Sequence, residues 1–226
     1  MEDDQKFIAQ YSQFENKIIF SKKSVEKVID NELEFLGYKE IERKNIGYLN
    51  IGYNTRLLYP FYINEKDIRK AIARFIILLS MYHEIWHSID FSILPRVFLN
   101  HVIKDIDFDT FLKNFELRAS AFQVVMYYLV SGLYKDEEVY KTVHDNILIC
   151  RKYIEEINEL QNDKNKNKYV PYDLGFCYGN VIVAKYKSSL DKYIYKIIDD
   201  IIHLNKERAI DIIKLYGDNL DKQLYG

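Results

Sequence analysis

From residue 68 onward the apolar positions Ile68, Ile72, Phe75, Ile76 and Leu79 recur at the spacing of one helix face. The same face continues through His83, His87 and Asp90, so an apolar stripe ends in polar groups. Asn64, followed by Glu65, Lys66 and Asp67, suits an N-cap with acidic residues in the first turn, which predicts a long helix beginning there. Residues 24–36 predict another helix, with a serine near its start and Gly37 as its stop. Residues 108–130 predict a third, capped by Asp109 or Thr110 and burying Phe115, Ala119, Phe122 and Met126. Two more follow from Ser188, with Asn205 capping the second and Gly217 ending it. Between residues 45 and 63 the period changes. β-Branched and aromatic residues, broken by Gly47, Gly52 and Asn54, predict a small antiparallel hairpin. The expected fold is therefore α+β, mostly helical, with a small antiparallel sheet and a helical C-terminal part.

Composition adds scale. With 226 residues, 48% of them hydrophobic and 29% charged, the chain can bury one sizeable core and keep a charged surface. The stretch QNDKNKNK at 161–168 has the composition of a solvated linker. It divides an expected core of residues 1–160 from a helical subdomain of residues 161–226. A net charge of −2 gives no general attraction to nucleic acid or to an anionic membrane. The most apolar stretch, 75–82, is far shorter than a bilayer span and reads as a buried helix. The acidic opening Met1-Glu2-Asp3-Asp4 lacks the basic and apolar regions of an export signal, so a cytoplasmic location is expected. Cys150 and Cys177 are far apart and match no metal-ligand spacing, and no disulfide is expected from them.

The stripe on the long helix carries the candidate chemistry. In His83-Glu84-Ile85-Trp86-His87 two histidines four apart can bind one zinc ion, and Glu84 then lies where a general base for a zinc-activated water belongs. A catalytic zinc takes three protein ligands and leaves a fourth position open. Asp90 sits on the histidines' own helix and points roughly parallel to them. Glu116 comes from a separate helix, so it can close the tetrahedron from another direction. Asp90 then suits support of a ligating histidine through its distal nitrogen. A carboxylate in the apolar surroundings of Glu116 costs several kcal/mol unless it is compensated. The competing explanation for Glu116 is a salt bridge to Arg118 or a solvated turn. His101, His144 and His203 have no partner at ligand spacing.

HEIWH, followed about thirty residues later by Glu116-Leu-Arg-Ala119, resembles the gluzincin pattern, in which the glutamate opens an ExxA-type sequence on its own helix. The resemblance covers residues 45–130. It implies a zincin-like core and a zinc metallopeptidase with one Zn2+ per chain, ligands His83, His87 and Glu116, base Glu84, and a peptide or protein substrate. Beyond the linker, Pro171-Tyr172-Asp-Leu-Gly175-Phe-Cys-Tyr178-Gly179 is similar to a P-x-x-x-G-[FY]-x-x-G segment that follows the zinc motifs in several bacterial zinc-peptidase families. Gly175 and Gly179, one turn apart, suit a helix that approaches another backbone or a substrate closely. Tyr172 or Tyr178 would then stabilise the oxyanion. The 45–63 hairpin is either the edge along which an extended peptide adds or a packing ribbon. The alternative function is a catalytically inactive zincin-like binding or regulatory protein.

Overall fold

The computed structural model describes residues 7–36, 46–63, 68–97, 108–162 and 167–225. In chain order these form β1 (Ala9–Ser12), β2 (Lys17–Phe20), α1 (Lys22–Leu36), β3 (Ile46–Asn50), β4 (Leu58–Tyr62), α2 (Ile68–Val97), α3 (Phe108–Ser131), α4 (Glu137–Asn162), α5 (Val170–Tyr186), α6 (Ile194–Ile202) and α7 (Lys206–Tyr225). The described residues form a mostly helical α+β fold with two separate two-stranded antiparallel sheets, β1–β2 and β3–β4. No helix among the described residues is long and apolar enough to cross a membrane.

Local chemistry accounts for several element boundaries. The Ser21 hydroxyl accepts the Ser24 N–H at 3.2 Å, which starts α1 two residues before the expected position. Asn205 caps α7 as expected, its side-chain oxygen accepting the Arg208 N–H at 2.9 Å. Gly217 does not end that helix. α7 runs through it to Tyr225, and the missing side chain instead lets the helix lie against Arg151, whose Cβ would be 3.0 Å from an added Cβ. The expected cap at Asn64, the stop at Gly37 and His101 lie outside the described residues.

The 45–63 hairpin forms as expected, pairing Ile46 with Tyr62 and Asn50 with Leu58. Its β4 edge is closed rather than open. Asn146 on α4 accepts the Leu58 N–H at 3.0 Å and donates to the Leu58 carbonyl at 2.7 Å, taking the place of a neighbouring strand. Two residues on, Pro60 has no N–H to offer. The sequence expectation contained no β1–β2 hairpin, because strands of four residues carry too little alternation to register. Its turn contains Asn16 at φ 47°, a left-handed conformation that asparagine tolerates.

Buried residues from Val25 to Leu220 join in one cluster, and α5 lies at its centre. Pro171 occupies the first turn of α5, where its missing N–H costs nothing. A Cβ on Gly175 would stand 2.5 Å from Ser120 Cβ and closer still to the Leu117 carbonyl oxygen. On Gly179 it would meet Val124 Cβ at 2.5 Å. The two glycines therefore let α5 rest on the backbone of α3. Contrary to the sequence expectation, Cys150 on α4 and Cys177 on α5 are joined by a disulfide, their Cα atoms 5.6 Å apart. A separation of 27 residues hid a pair that helix packing brings together.

Gly175→Val should lower the unfolding free energy by about 3 kcal/mol, because no side chain fits between α5 and α3. Urea unfolding measures this, and a loss below about 1 kcal/mol would contradict so close an approach.

Candidate metal centre

α2 carries His83, Glu84 and His87 within a little over one turn, and one ligand atom of each lies within 4.8 Å of the others. The group can hold a metal ion. The imidazole rings stand nearly perpendicular, 86° apart, with centroids at 4.7 Å. His83 Nδ1 faces the Gln123 side-chain oxygen at 3.1 Å. An amide oxygen only accepts, so Nδ1 carries a proton, which leaves Nε2 as the nitrogen that a metal would take in place of its contact with Glu116.

α3 brings the second carboxylate. Glu116 Oε2 lies 3.0 Å from His83 Nε2 and 3.7 Å from His87 Nε2. Two carboxylates thus lie beside the histidine pair, Glu84 from their own helix and Glu116 from across the α2–α3 interface. Trp86 packs on Phe122 at 4.8 Å, just below the histidines, and fixes how those helices face one another. The competing salt bridge to Arg118 does not form. Arg118 Nε pairs with Asp90, 3.2 and 3.4 Å from its two oxygens, and leaves Glu116 to the histidines.

The charges of these groups are coupled. Burial opposes ionisation of Glu116, but hydrogen bonds and charge from His83 and His87 outweigh it and hold the carboxyl well below its ordinary range. Burial likewise disfavours a charged His87, and Glu116, Glu84 and Asp90 overcome it, raising its pKa. Glu84, only 8% exposed, is raised by burial against the pull of both histidines and of the Tyr11 N–H. That N–H donates to Glu84 Oε2 at 2.7 Å and comes from β1. Asp90 is pushed up to about 6 by burial despite its pairing with Arg118, and its charge reaches His87.

Of the two candidate tyrosines the structure brings one to the histidines. Tyr172 stacks on His83 with rings 12° apart and centroids at 5.9 Å, and its phenol is raised by burial and then by Glu116. Tyr178 is 1% exposed, and its charged neighbours are Asp200 and Arg208. Six residues on from Tyr172, it lies on another side of α5 and away from the centre. His144 packs on Tyr140 at 4.3 Å, and His203 bonds to the Asp199 carbonyl.

Three contributors escaped the sequence reading. Gln123 is seven residues after Glu116, hence on the same face of α3, and that spacing was a readable signal. Tyr11 acts through its backbone and leaves no signature in its side chain. Asp173, fully buried beside Tyr172, accepts the N–H of Tyr53 at 2.9 Å and of Asn54 at 3.2 Å, with the Tyr153 hydroxyl at 3.3 Å. It clasps the β3–β4 turn to α5.

Comparison with protein-family models, characterised proteins and solved structures finds no match to this chain.

Burial raises Asp173 to about 6, against its hydrogen bonds from Tyr53, Asn54 and Tyr153. The folded chain therefore holds this proton more tightly than the unfolded chain, whose aspartates titrate near ~3.9. Stability should rise as pH falls from about 7 towards about 4, with Asp173 contributing about 2–3 kcal/mol of the change. Asp173→Asn should flatten that part of the profile in urea unfolding of metal-free protein. An unchanged slope would show that Asp173 is not the group responsible.

Proposed function

We propose that this protein is a zinc-dependent peptidase in which His83, His87 and Glu116 hold one zinc ion and Glu84 serves as the base. The observation that carries the reading is Glu116 Oε2, which reaches from a second helix to within 3.0 and 3.7 Å of both Nε2 atoms. Two imidazoles and one carboxylate from two directions match the donor set of a catalytic zinc site. The His83 tautomer held by Gln123 leaves Nε2 as a donor to a metal.

A zinc ion held by His83, His87 and Glu116 would supply a water of near-neutral pKa and polarise the scissile carbonyl. Glu84 accepts the water's proton and passes it to the leaving amine. Burial raises its pKa above the ordinary carboxylate value, the direction that favours holding the proton until it passes to the leaving amine. The Tyr11 N–H occupies Oε2, which fixes the carboxylate and leaves Oε1 for proton transfer. Tyr172 remains protonated at any physiological pH and donates from its hydroxyl to the developing oxyanion.

A peptide substrate also fits the β1 edge. Ser21 N–H bonds to the Ile8 carbonyl, and antiparallel alternation then turns the main-chain groups of Ala9 and Tyr11 away from β2. Tyr11 uses its N–H on Glu84, so this edge runs beside the base. An extended chain adding there would bond to the main chain of Ala9 and to the Tyr11 carbonyl, the Tyr11 N–H being held by Glu84.

Glu84→Gln should keep zinc in elemental analysis and cut cleavage of a mixed peptide library by at least about a hundredfold. His83→Ala and Glu116→Ala should lose the metal. Hydrolysis retained in Glu84→Gln would remove Glu84 from its role. A library left uncut by fully zinc-loaded wild type would favour an inactive binding module.

A further inference from the structure

The turn between β3 and β4 is fixed far more firmly than packing of the hairpin requires. A fully buried carboxylate, Asp173, spends its acceptor capacity on the Tyr53 and Asn54 main chain and on the Tyr153 hydroxyl. Burying a carboxylate is costly unless such bonds satisfy it, so the turn is held at the expense of a strained ionisation. The result is a rigid placement of Tyr53, whose side chain remains 55% exposed. Large aromatic rings usually find cover, and this one is presented to solvent on a fixed backbone.

Its surroundings connect it to the candidate metal centre. Tyr53 stacks on Tyr169 at 4.5 Å and 15°, and meets Tyr172 edge-on at 5.8 Å. Tyr172 in turn stacks on His83. Three tyrosines from two elements thus form a continuous wall that ends on a candidate ligand. The far end of that wall is already occupied by a cation, since Lys168 Nζ lies 4.7 Å over the Tyr169 ring. An incoming cationic side chain would face that charge, whereas an uncharged ring would find stacking and edge contacts.

We propose that Tyr53, Tyr169 and Tyr172 form a specificity subsite for an uncharged aromatic side chain of a peptide bound at the metal centre, with Tyr53 as its principal contact. This rests on the zinc-peptidase reading above and names the class of residue that the site prefers. Asp173 acts as a positioning residue, setting Tyr53 through the backbone without touching the ligand.

The test uses the full chain loaded with cobalt(II), whose visible absorption reports ligands entering the metal sphere without requiring turnover. Three hydroxamates serve as probes: acetohydroxamate, 3-phenylpropionohydroxamate and 5-aminopentanohydroxamate. The phenyl compound should bind about tenfold more tightly than acetohydroxamate. The amine should bind no more tightly than acetohydroxamate. Tyr53→Ala should reduce the phenyl advantage to about twofold and leave acetohydroxamate affinity unchanged, whereas Tyr53→Phe, which keeps the ring, should preserve it. Equal affinities for the phenyl and acetyl probes in wild type, a phenyl advantage intact in Tyr53→Ala, or a preference for the amine would each overturn the subsite. Failure to bind cobalt, or a spectrum that acetohydroxamate does not change, would instead remove the metal site on which the subsite depends.

Discussion

The distance at which α5 can lie against α3 governs the rest of this structure. Gly175 and Gly179 leave no side chain between the helices, and the neighbouring atoms of Leu117, Ser120, Ala121 and Val124 fill the space. α3 carries Glu116 immediately before that contact, and α5 carries Tyr172 and Asp173 just before it. The carboxylate, the phenol that stacks on His83 and the clasp on the β3–β4 turn therefore share one interface. Close packing of this kind transmits small displacements, because interiors have little free volume to absorb them. The disulfide between Cys150 and Cys177 ties α4 to the same helix at its middle.

On that frame the burial of charge is distributed with economy. Five ionisable side chains, Glu84, His87, Asp90, Glu116 and Asp173, sit in surroundings that penalise their charged forms. His87 and Glu116 answer each other, and the other three have partners of their own. Asp90 has Arg118, Asp173 has two backbone amides and a tyrosine, and Glu84 has the Tyr11 amide. Glu116 faces the Nε2 atoms of both imidazoles, with the Tyr172 phenol beside it. The group of His83, Glu84 and His87 beside it can hold a metal ion. The same division explains why Arg118, two residues from Glu116, does not neutralise it: the guanidinium is held on Asp90 and reaches the Leu204 carbonyl.

The long helix, the 45–63 hairpin, the glutamate helix and the Asn205 cap were legible because each rests on local signals, periodicity or a capping side chain. The meeting of His83, His87 and Glu116 could be anticipated because helix geometry limits which carboxylate approaches from a second direction. Other features depend on tertiary placement that no local pattern encodes. The disulfide joins residues on two different helices. The β1 strand is too short to show a period and contributes a backbone amide. Gly217 carries the signature of a helix stop, yet a close contact with Arg151 uses the same absence of a side chain inside a helix. The choice between Tyr172 and Tyr178 needed the rotation of α5, which a helix buried on nearly every side does not reveal through its apolar pattern.

X-ray absorption at the zinc edge of the stoichiometrically loaded protein tests the central claim most directly. The account predicts a four-coordinate shell of nitrogen and oxygen donors near ~2.0–2.1 Å, with the outer-shell scattering of two imidazoles, and loss of one protein oxygen in Glu116→Ala. Zinc bound through sulfur, scattering from fewer than two imidazoles, or a shell unchanged by Glu116→Ala would contradict it.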